Sequence, residues 1–462
     1  MRLPLLPLIV ACALFIENLD STVLATSLPA MAQDFGVAPV ALKLALTAYL
    51  ASLAVFVPVS GWVADRLGSR RTFVAAIGVF LLGSLACAAA PSLPAIVAAR
   101  FLQGLGGAMM VPVGRLVLLQ GTPKPELVKA LSYLTIPALL GPVLGPPLGG
   151  FITTYFDWRW IFLINLPIAA LGMVLGWRYV PERREAQPAP LDVRGFLYCG
   201  GGLLALLFGV SALGRHLVSD TVIAASLALG VALLLAYLRH ARRVPQPLFD
   251  LGLLRLPTYR CGVVGGAVFR IGIGALPLLL PLLLQLAFGF TPLASGLTTF
   301  VSAVGAIGMK TLATRVLRRH GFRRVLMLNA LAVGASLALY ALFTPQLWHG
   351  VILAVLFFGG LLRSLQFTAL NALTYAEVEQ HELSGATTLA STAQQLAATL
   401  GIAFGSAALE AASALLPHAT AATPYACAFV AAGLMAALSS RWAWRLPPAA
   451  GSELSGHRWA IQ

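Results

Sequence analysis

The chain of 462 residues is divided into apolar stretches that are each about as long as a bilayer is thick. A helix needs roughly 20 apolar residues to cross the hydrocarbon core. Fourteen windows between polar or Pro/Gly breaks meet this length approximately: 5–27, 42–63, 72–90, 94–115, 130–153, 160–180, 193–213, 221–239, 260–286, 293–314, 324–343, 348–371, 384–410 and 421–441. Charged residues make up only 10% of the chain, against about 25% in soluble proteins. The predicted fold class is an all-α polytopic membrane protein with 14 transmembrane helices.

The basic residues predict how the chain is oriented. With the N-terminus inside, most of the 31 Lys and Arg residues fall on inner connections, whereas the outer connections hold Lys43, Arg159 and Arg215. Positive charge is retained on the cytoplasmic side, so both termini are expected in the cytoplasm. The same bias accounts for the net charge of +15 without a nucleic-acid partner.

A basic turn occurs twice in the chain. Gly61-Trp-Val-Ala-Asp65-Arg66-Leu-Gly68-Ser-Arg70-Arg71 follows the second window, and a stretch ending Gly321-Phe-Arg323-Arg324 follows the tenth. If these turns correspond, windows 1–6 and 9–14 are related halves, and windows 7–8 are an insertion. We therefore expect an N-terminal six-helix bundle at 1–180, a linker with two inserted helices at 181–240, a C-terminal six-helix bundle at 241–445 and a cytoplasmic tail at 446–462.

The first of these turns resembles the signature loop of the major facilitator superfamily. Four further stretches look like motifs of its fourteen-span drug:proton antiporter branch, the EmrB/QacA type: Leu19–Pro29, Arg100–Gly107, Gly141–Gly150 and Trp158–Pro167. The phrases Gly107–Arg115 and Phe269–Pro277 look most like its bacterial MdtD subgroup.

The resemblance implies a multidrug-type efflux antiporter of the bacterial cytoplasmic (inner) membrane. Such a transporter exchanges a small-molecule substrate for protons by alternating access, functions as a monomer and needs no cofactor beyond the proton gradient. It also implies conformational roles for two motifs, which in this chain are Gly61, Asp65, Arg66, Gly68 and Arg71, and Gly141, Pro142, Gly145, Pro146 and Gly149.

Six charged residues lie deep in the apolar windows, namely Glu17, Asp20, Arg100, Arg270, Arg363 and Glu410. Each such charge costs about 2.5–3.5 kcal/mol at the bilayer centre on insertion scales, so charges kept there usually serve a function. The superfamily architecture places five of them on the helices around a central cavity. Glu410 lies outside that set and has no predicted role.

Asp20 and Arg100 are predicted to couple the protein to protons. By helical rise, both lie about 8–9 Å below the outer edge of the bilayer core, on helices of opposite direction. An ion pair between them would be released when Asp20 binds a proton. Glu17 precedes Asp20 by three residues and faces the same way, so either carboxylate is a candidate proton carrier. The alternative is a buried pair that only locks two helices together.

The remaining deep polar residues are expected in the substrate cavity: Arg270 and Arg363, with Gln103 and Gln366. Three arginines against two carboxylates would make this cavity positive. Such a cavity would attract organic anions or anionic iron chelates, because arginine binds carboxylates in a bidentate manner. This expectation differs from the lipophilic cations that a multidrug role implies, and both substrate classes remain open.

A passive facilitator on the same scaffold is a second function class, and it would be indifferent to Asp20→Asn. An enzyme or an ATP-driven pump has little support, because the chain contains no Walker A, HExxH or GxSxG motif. No metal site is expected, since the five cysteines show no CxxC spacing.

Overall fold

The computed structural model describes residues 5–37, 42–123, 126–185, 190–212, 219–245, 247–290, 292–417 and 420–455. Every regular element in these ranges is helical, as backbone groups in lipid require. The α-helices are α1 (Leu5–Phe35), α2 (Lys43–Phe56), α3 (Ser60–Leu67), α4 (Ser69–Ala88), α5 (Leu93–Gly121), α6 (Leu127–Tyr155), α7 (Trp160–Leu163), α8 (Asn165–Tyr179), α9 (Val193–Ala212), α10 (Asp220–Ala241), α11 (Pro257–Arg260), α12 (Gly266–Gly274), α13 (Leu276–Leu282), α14 (Pro292–Ala338), α15 (His349–Thr374), α16 (Leu383–Leu415), α17 (Thr423–Leu438), α18 (Ser440–Trp444) and α19 (Ser452–Ser455).

Twelve helical runs in the described part of the chain are long and apolar enough to cross a membrane. One of them, Ala294–Leu342, contains a break at Gly321, and α6 is not among the twelve. Large apolar side chains such as Leu171, Val174 and Leu229 are exposed on the outside of the bundle, as faces toward lipid should be. The predicted all-helical membrane fold is confirmed, and the number of fourteen spans stays a prediction.

The two basic turns have similar backbone conformations. Gly68 has φ 98° and ψ 143°, and Gly321 has φ 71° and ψ 161°. Residues other than glycine rarely adopt this conformation, so the glycines are required where the chain turns between helices. The packing also repeats: α1 lies along α6 in the first half, and α12 lies along α16 in the second. Both observations support the expected relation between the halves, whose boundaries stay predictions.

The inserted helices α9 and α10 pack on each other, and α9 also contacts α2 and α16, one helix from each half. Asp192, just before α9, connects the start of α9 to the end of α10. Its carboxylate accepts hydrogen bonds from the backbone N of Gly195 (2.8 Å) and Leu248 (3.2 Å) and pairs with His240 Nε2 (2.8 Å). Burial opposes the charged form of Asp192, but these contacts outweigh burial and lower its pKa.

Both ends of the described chain lie at one end of the helix bundle. A side chain on Gly121 would touch Leu6, and one on Gly451 would touch Phe322. The turns at Gly68 and Gly321 lie at the same end, because Ser69 and Gln120 line one cavity there and Phe322 follows Gly321. We call this the basic end.

Candidate functional site

Asp20 on α1 and Arg100 on α5 form an ion pair inside the first half. Arg100 Nη1 donates to Asp20 Oδ2 at 2.5 Å, and the two side chains are 0% and 2% exposed. The helices run in opposite directions, since α1 starts and α5 ends at the basic end. This is why residues 80 positions apart in sequence reach one depth.

Three neutral side chains complete this polar cluster. Gln103 Nε2 donates to Asp20 Oδ1 (2.9 Å) and to Ser84 Oγ (2.7 Å), and Asn165 Nδ2 donates to Asp20 Oδ1 (3.1 Å). Gln103 Oε1 in turn accepts from Arg100 at 2.6 Å. Asn165 belongs to the Trp158–Pro167 stretch that carries the family resemblance, whereas Ser84 has no sequence signal. The carboxylate of Asp20 therefore has three donors, from Arg100, Gln103 and Asn165.

An aromatic ring covers the guanidinium of Arg100. Its Cζ lies 4.5 Å from the ring centroid of Tyr49, and its Nε and Nη2 have no hydrogen-bond partner among the described residues. The ring face therefore supplies a favourable contact for the cation. Glycine makes this approach possible, because a side chain on Gly104 would overlap Ser52 and the Tyr49 backbone. The glycines on α5 thus form a packing seam beside the charged residue, as small residues do between membrane helices.

A cavity of about 380 Å³ lies between the two halves. Glu17 on α1 and Arg270 on α12 line it from opposite halves, and Phe367, Ser391, Gln394 and Gln395 add an aromatic ring and polar groups. Most of the remaining lining is apolar. A cavity with few polar groups on an apolar wall is typical of small-molecule sites.

Glu17 and Arg270 are not paired with each other in the described part of the structure. Glu17 Oε2 is buried and has no hydrogen-bond partner among the described residues. Arg270 Nη2 donates to Asn371 Oδ1 at 3.0 Å, and its guanidinium lies 5.3 Å from the ring centroid of Phe367. Glu410 is exposed far from both, where its carboxylate accepts from Ser406 at 3.1 Å.

Arg270 is the one predicted cavity residue that belongs to the lining; the other three lie elsewhere. Gln103 belongs to the Asp20 cluster. Arg363 donates to Tyr340 Oη (3.0 Å) and to Ser302 Oγ. Gln366 is 2% exposed, accepts from Asn329 (2.9 Å) and donates to Leu326 O (3.1 Å). The sequence gives the depth of a residue along its helix, but packing against residues 302–340 sets which way the side chains of Arg363 and Gln366 point.

Two further cations, Arg115 and Lys310, are buried, although the charge bias places both with the basic residues of the inner connections. Arg115 is 7% exposed, and its Nη2 donates to Gln394 Oε1 at 3.2 Å. Lys310 is 6% exposed, and its Nζ donates to Thr368 Oγ1 at 2.7 Å. Both lie near the ends of apolar windows, where length alone does not separate a buried charge from a loop charge.

The described hydrogen bonds between the halves lie at the basic end or on the side of the cavity toward it. Besides Arg115 and Gln394, they join Ser384 Oγ to Asp65 Oδ2 (2.7 Å), Ser60 to Thr388 (3.4 Å) and Arg183 to Gln380 (3.3 Å). A side chain on Gly61 would lie 2.9 Å from Ser384 O. The halves are therefore closed together at this end.

The other predicted conformational residues have local contacts. Arg66 lies over the Trp62 ring at 5.6 Å, and Arg71 lies 3.7 Å from Glu182. On α6, Gly141 and Gly145 pack against Asn18–Thr22 of α1, and Gly149 O accepts from Thr153 at 2.7 Å. The side chains of Pro142 and Pro146 lie outside the described residues. The glycine motif on α6 thus forms the surface against which α1, the helix of Asp20, packs.

Two similar helical halves around a cavity with buried charges define a membrane transporter. The chain belongs to the Major Facilitator Superfamily, which its residues 10–257 and 262–459 match. It is 38% identical over 394 residues to the multidrug resistance protein MdtD of Pectobacterium carotovorum, covering 85% of this chain and 84% of that one. The predicted membership and the likeness to the MdtD subgroup are confirmed.

Solved structures show the same fold. The human organic anion transporter MFSD10 (TETRAN) has a TM-score of 0.69 at 15% identity, covering 96% of this chain and 100% of that one. The proton:xylose symporter XylE has a TM-score of 0.65 at 16% identity, covering 98% and 97%. The protein is a transporter rather than an enzyme, with a small-molecule substrate.

Proposed function

We propose that the protein is a proton-coupled antiporter of the bacterial inner membrane that exports small amphipathic molecules by alternating access. One observation carries the proposal: the Asp20–Arg100 pair is buried beside a cavity that lies between the two helical halves. An ionisable pair at this depth is costly unless it serves a function. The energy source is the proton gradient, with no cofactor, and the working unit is a monomer.

The coupling step follows from the contacts of Asp20. Proton binding removes the negative charge of Asp20 and weakens its hydrogen bond from Arg100. Glu17 lies on the same helix and lines the cavity, so a shift of α1 changes the position of Glu17 relative to the substrate. α1 also packs on Gly141 and Gly145 of α6, and this smooth surface permits such a shift.

The basic end is assigned to the cytoplasm, because Lys and Arg are retained on that side. Closure at this end then corresponds to the state in which protons enter from outside. The multidrug name of the MdtD relatives favours amphipathic substrates. Organic anions remain the alternative substrate class, and the charged residues of the described lining, Glu17 and Arg270, are one of each sign.

The test uses proteoliposomes that contain pyranine, a pH-sensitive dye, and have an acidic lumen. Adding norfloxacin is expected to raise the luminal pH with the wild-type protein and not with Asp20→Asn. The matched control is Asp34→Asn, because Asp34 lies on the same helix but is half-exposed and pairs with Arg159. Drug uptake without proton release, or unchanged coupling in folded Asp20→Asn, would identify a passive facilitator instead.

A further inference from the structure

Within the described ranges, the central cavity has one ionisable side chain without a counter-charge on each of its two walls. On the first-half wall, Glu17 Oε2 is buried without a hydrogen-bond donor in the described structure. A carboxylate in such surroundings is stable in its charged form only when a cation or several donors reach it. The wall therefore favours a ligand group that is positively charged.

The wall of the second half has the opposite character. The guanidinium of Arg270 has an amide and a ring as partners, Asn371 and Phe367, and no carboxylate among the described residues. An anionic ligand group would supply the missing counter-charge, and a planar carboxylate matches the guanidinium fork.

We propose that the cavity selects zwitterionic amphipathic molecules, with an ammonium group at Glu17 and a carboxylate at Arg270. The body of such a ligand lies across the cavity between its two ends. Phe367 and the apolar residues of α2, α5 and α12 face this body. The proposal rests on the proposed function and narrows its amphipathic substrates to those that carry both an ammonium and a carboxylate. A molecule with one charge leaves the other wall unmatched.

The positions of Glu17 and Arg270 also decide whether a ligand connects the two halves. Glu17 belongs to the first half and Arg270 to the second, so a zwitterion connects the two halves through its own length. A cation touches only the first half and an anion only the second. The number of charged groups on the ligand therefore decides whether it bridges the halves.

The experiment measures binding in nanodiscs at a single pH, without a gradient, by isothermal titration calorimetry. The probes are norfloxacin, which carries a piperazine ammonium and a carboxylate at opposite ends of an aromatic body, its methyl ester, which is only cationic, and its N-acetyl derivative, which is only anionic. Norfloxacin is expected to bind roughly tenfold or more tightly than either derivative, as hydrogen bonds to charged groups require.

Two variants assign the ends of the ligand. Glu17→Gln should weaken norfloxacin and its ester but leave the N-acetyl derivative unchanged. Arg270→Gln should weaken norfloxacin and the N-acetyl derivative but leave the ester unchanged. Matched controls are Glu410→Gln and Arg441→Gln, which make the same changes at exposed positions and should alter none of the three affinities.

The proposal is overturned if norfloxacin binds no more tightly than both derivatives, or if each variant weakens all three probes equally. A loss of folding is separated from these outcomes, because each variant retains one probe that should bind as before. Failure of the proposed function has a different readout: the binding preference persists in nanodiscs while the pyranine assay shows no proton release.

Discussion

Arg115 of the first half donates a hydrogen bond to Gln394 of the second half, from Nη2 to Oε1 at 3.2 Å. The contact joins α5 to α16 beside the cavity, because Gln394 also lines the cavity wall. Arg115 is only 7% exposed, so water does not readily replace this acceptor. The contact thus belongs to the closure of the two halves at the basic end.

Removing the acceptor should favour opening at that end. In Gln394→Leu, Nη2 of Arg115 loses its acceptor, and leaving a buried charged donor unsatisfied costs at least about 1–3 kcal/mol. The measurement is the rate at which a Ser391→Cys reporter in the cavity reacts with an impermeant maleimide from the basic side, with the five native cysteines replaced by alanine. An increase of about tenfold is expected.

The control is Gln395→Leu, which makes the same change at the neighbouring cavity position and leaves the Arg115 contact intact. Its labelling rate should stay near that of the parent. Equal rates in the two variants would show that the Arg115 contact does not hold the closed state.

Arg363 should support the second half rather than the substrate. Its guanidinium donates to Tyr340 and Ser302, and Arg363→Gln removes these bonds from a half-buried position. We expect a loss of about 1–3 kcal/mol of stability, seen as a lower Tm by tryptophan fluorescence, with norfloxacin binding unchanged in the folded fraction. Weaker norfloxacin binding at an unchanged Tm would show that Arg363 contacts the substrate after all.

The stability that Asp192 gives to the packing of α9 on α10 should depend on pH. Because contacts with Gly195, His240 and Leu248 lower the pKa of Asp192, its stabilising effect is complete above its ordinary pKa of about 4. That effect is lost as the pH falls through the lower, folded-state value. Asp192→Ala should therefore lower the free energy of unfolding at pH 7 by about 1–2 kcal/mol, for the hydrogen bonds it removes. The lower stability is seen as a lower Tm.

The difference in Tm between wild type and Asp192→Ala should shrink below pH 4, as wild-type Asp192 becomes protonated. Glu410→Ala, which removes an exposed carboxylate, serves as the reference for general acid effects. A Tm difference that is constant from pH 7 to pH 3 would rule out the charge of Asp192 as its source.

Much of this fold could be predicted, because it follows from length and charge. Apolar windows of bilayer length became helices, and the repeated Gly-x-Arg-Arg turn marked two glycines, Gly68 and Gly321, with the same unusual backbone. Asp20 and Arg100 could be placed at one depth by helical rise alone. What remained hidden was rotation about the helix axis, which depends on neighbours far away in sequence.

The candidate site shows that limit. Arg270 and Arg363 looked equivalent as deep arginines, yet one lines the cavity and the other binds Ser302 inside the second half. Arg115 and Lys310 looked like loop charges because they lie near window ends. Ser84 joins the Asp20 cluster only because α4 packs against α5, a contact that no local pattern encodes.

Closure at the basic end should fail when Gly61 gains a side chain. A Cβ at this position would lie 2.9 Å from Ser384 O, and overpacking of this kind costs about 1–3 kcal/mol. Since Ser384 also donates to Asp65 at 2.7 Å, Gly61→Ala should push α16 away and weaken that bond. Maleimide labelling of the Ser391→Cys reporter from the basic side should rise by about tenfold.

The matched control is Gly385→Ala on the facing helix, where an added Cβ meets no atom within 4 Å, and its labelling should match the parent. If both alanine variants label at the parent rate, α16 accommodates the methyl group and Gly61 does not set the closed state.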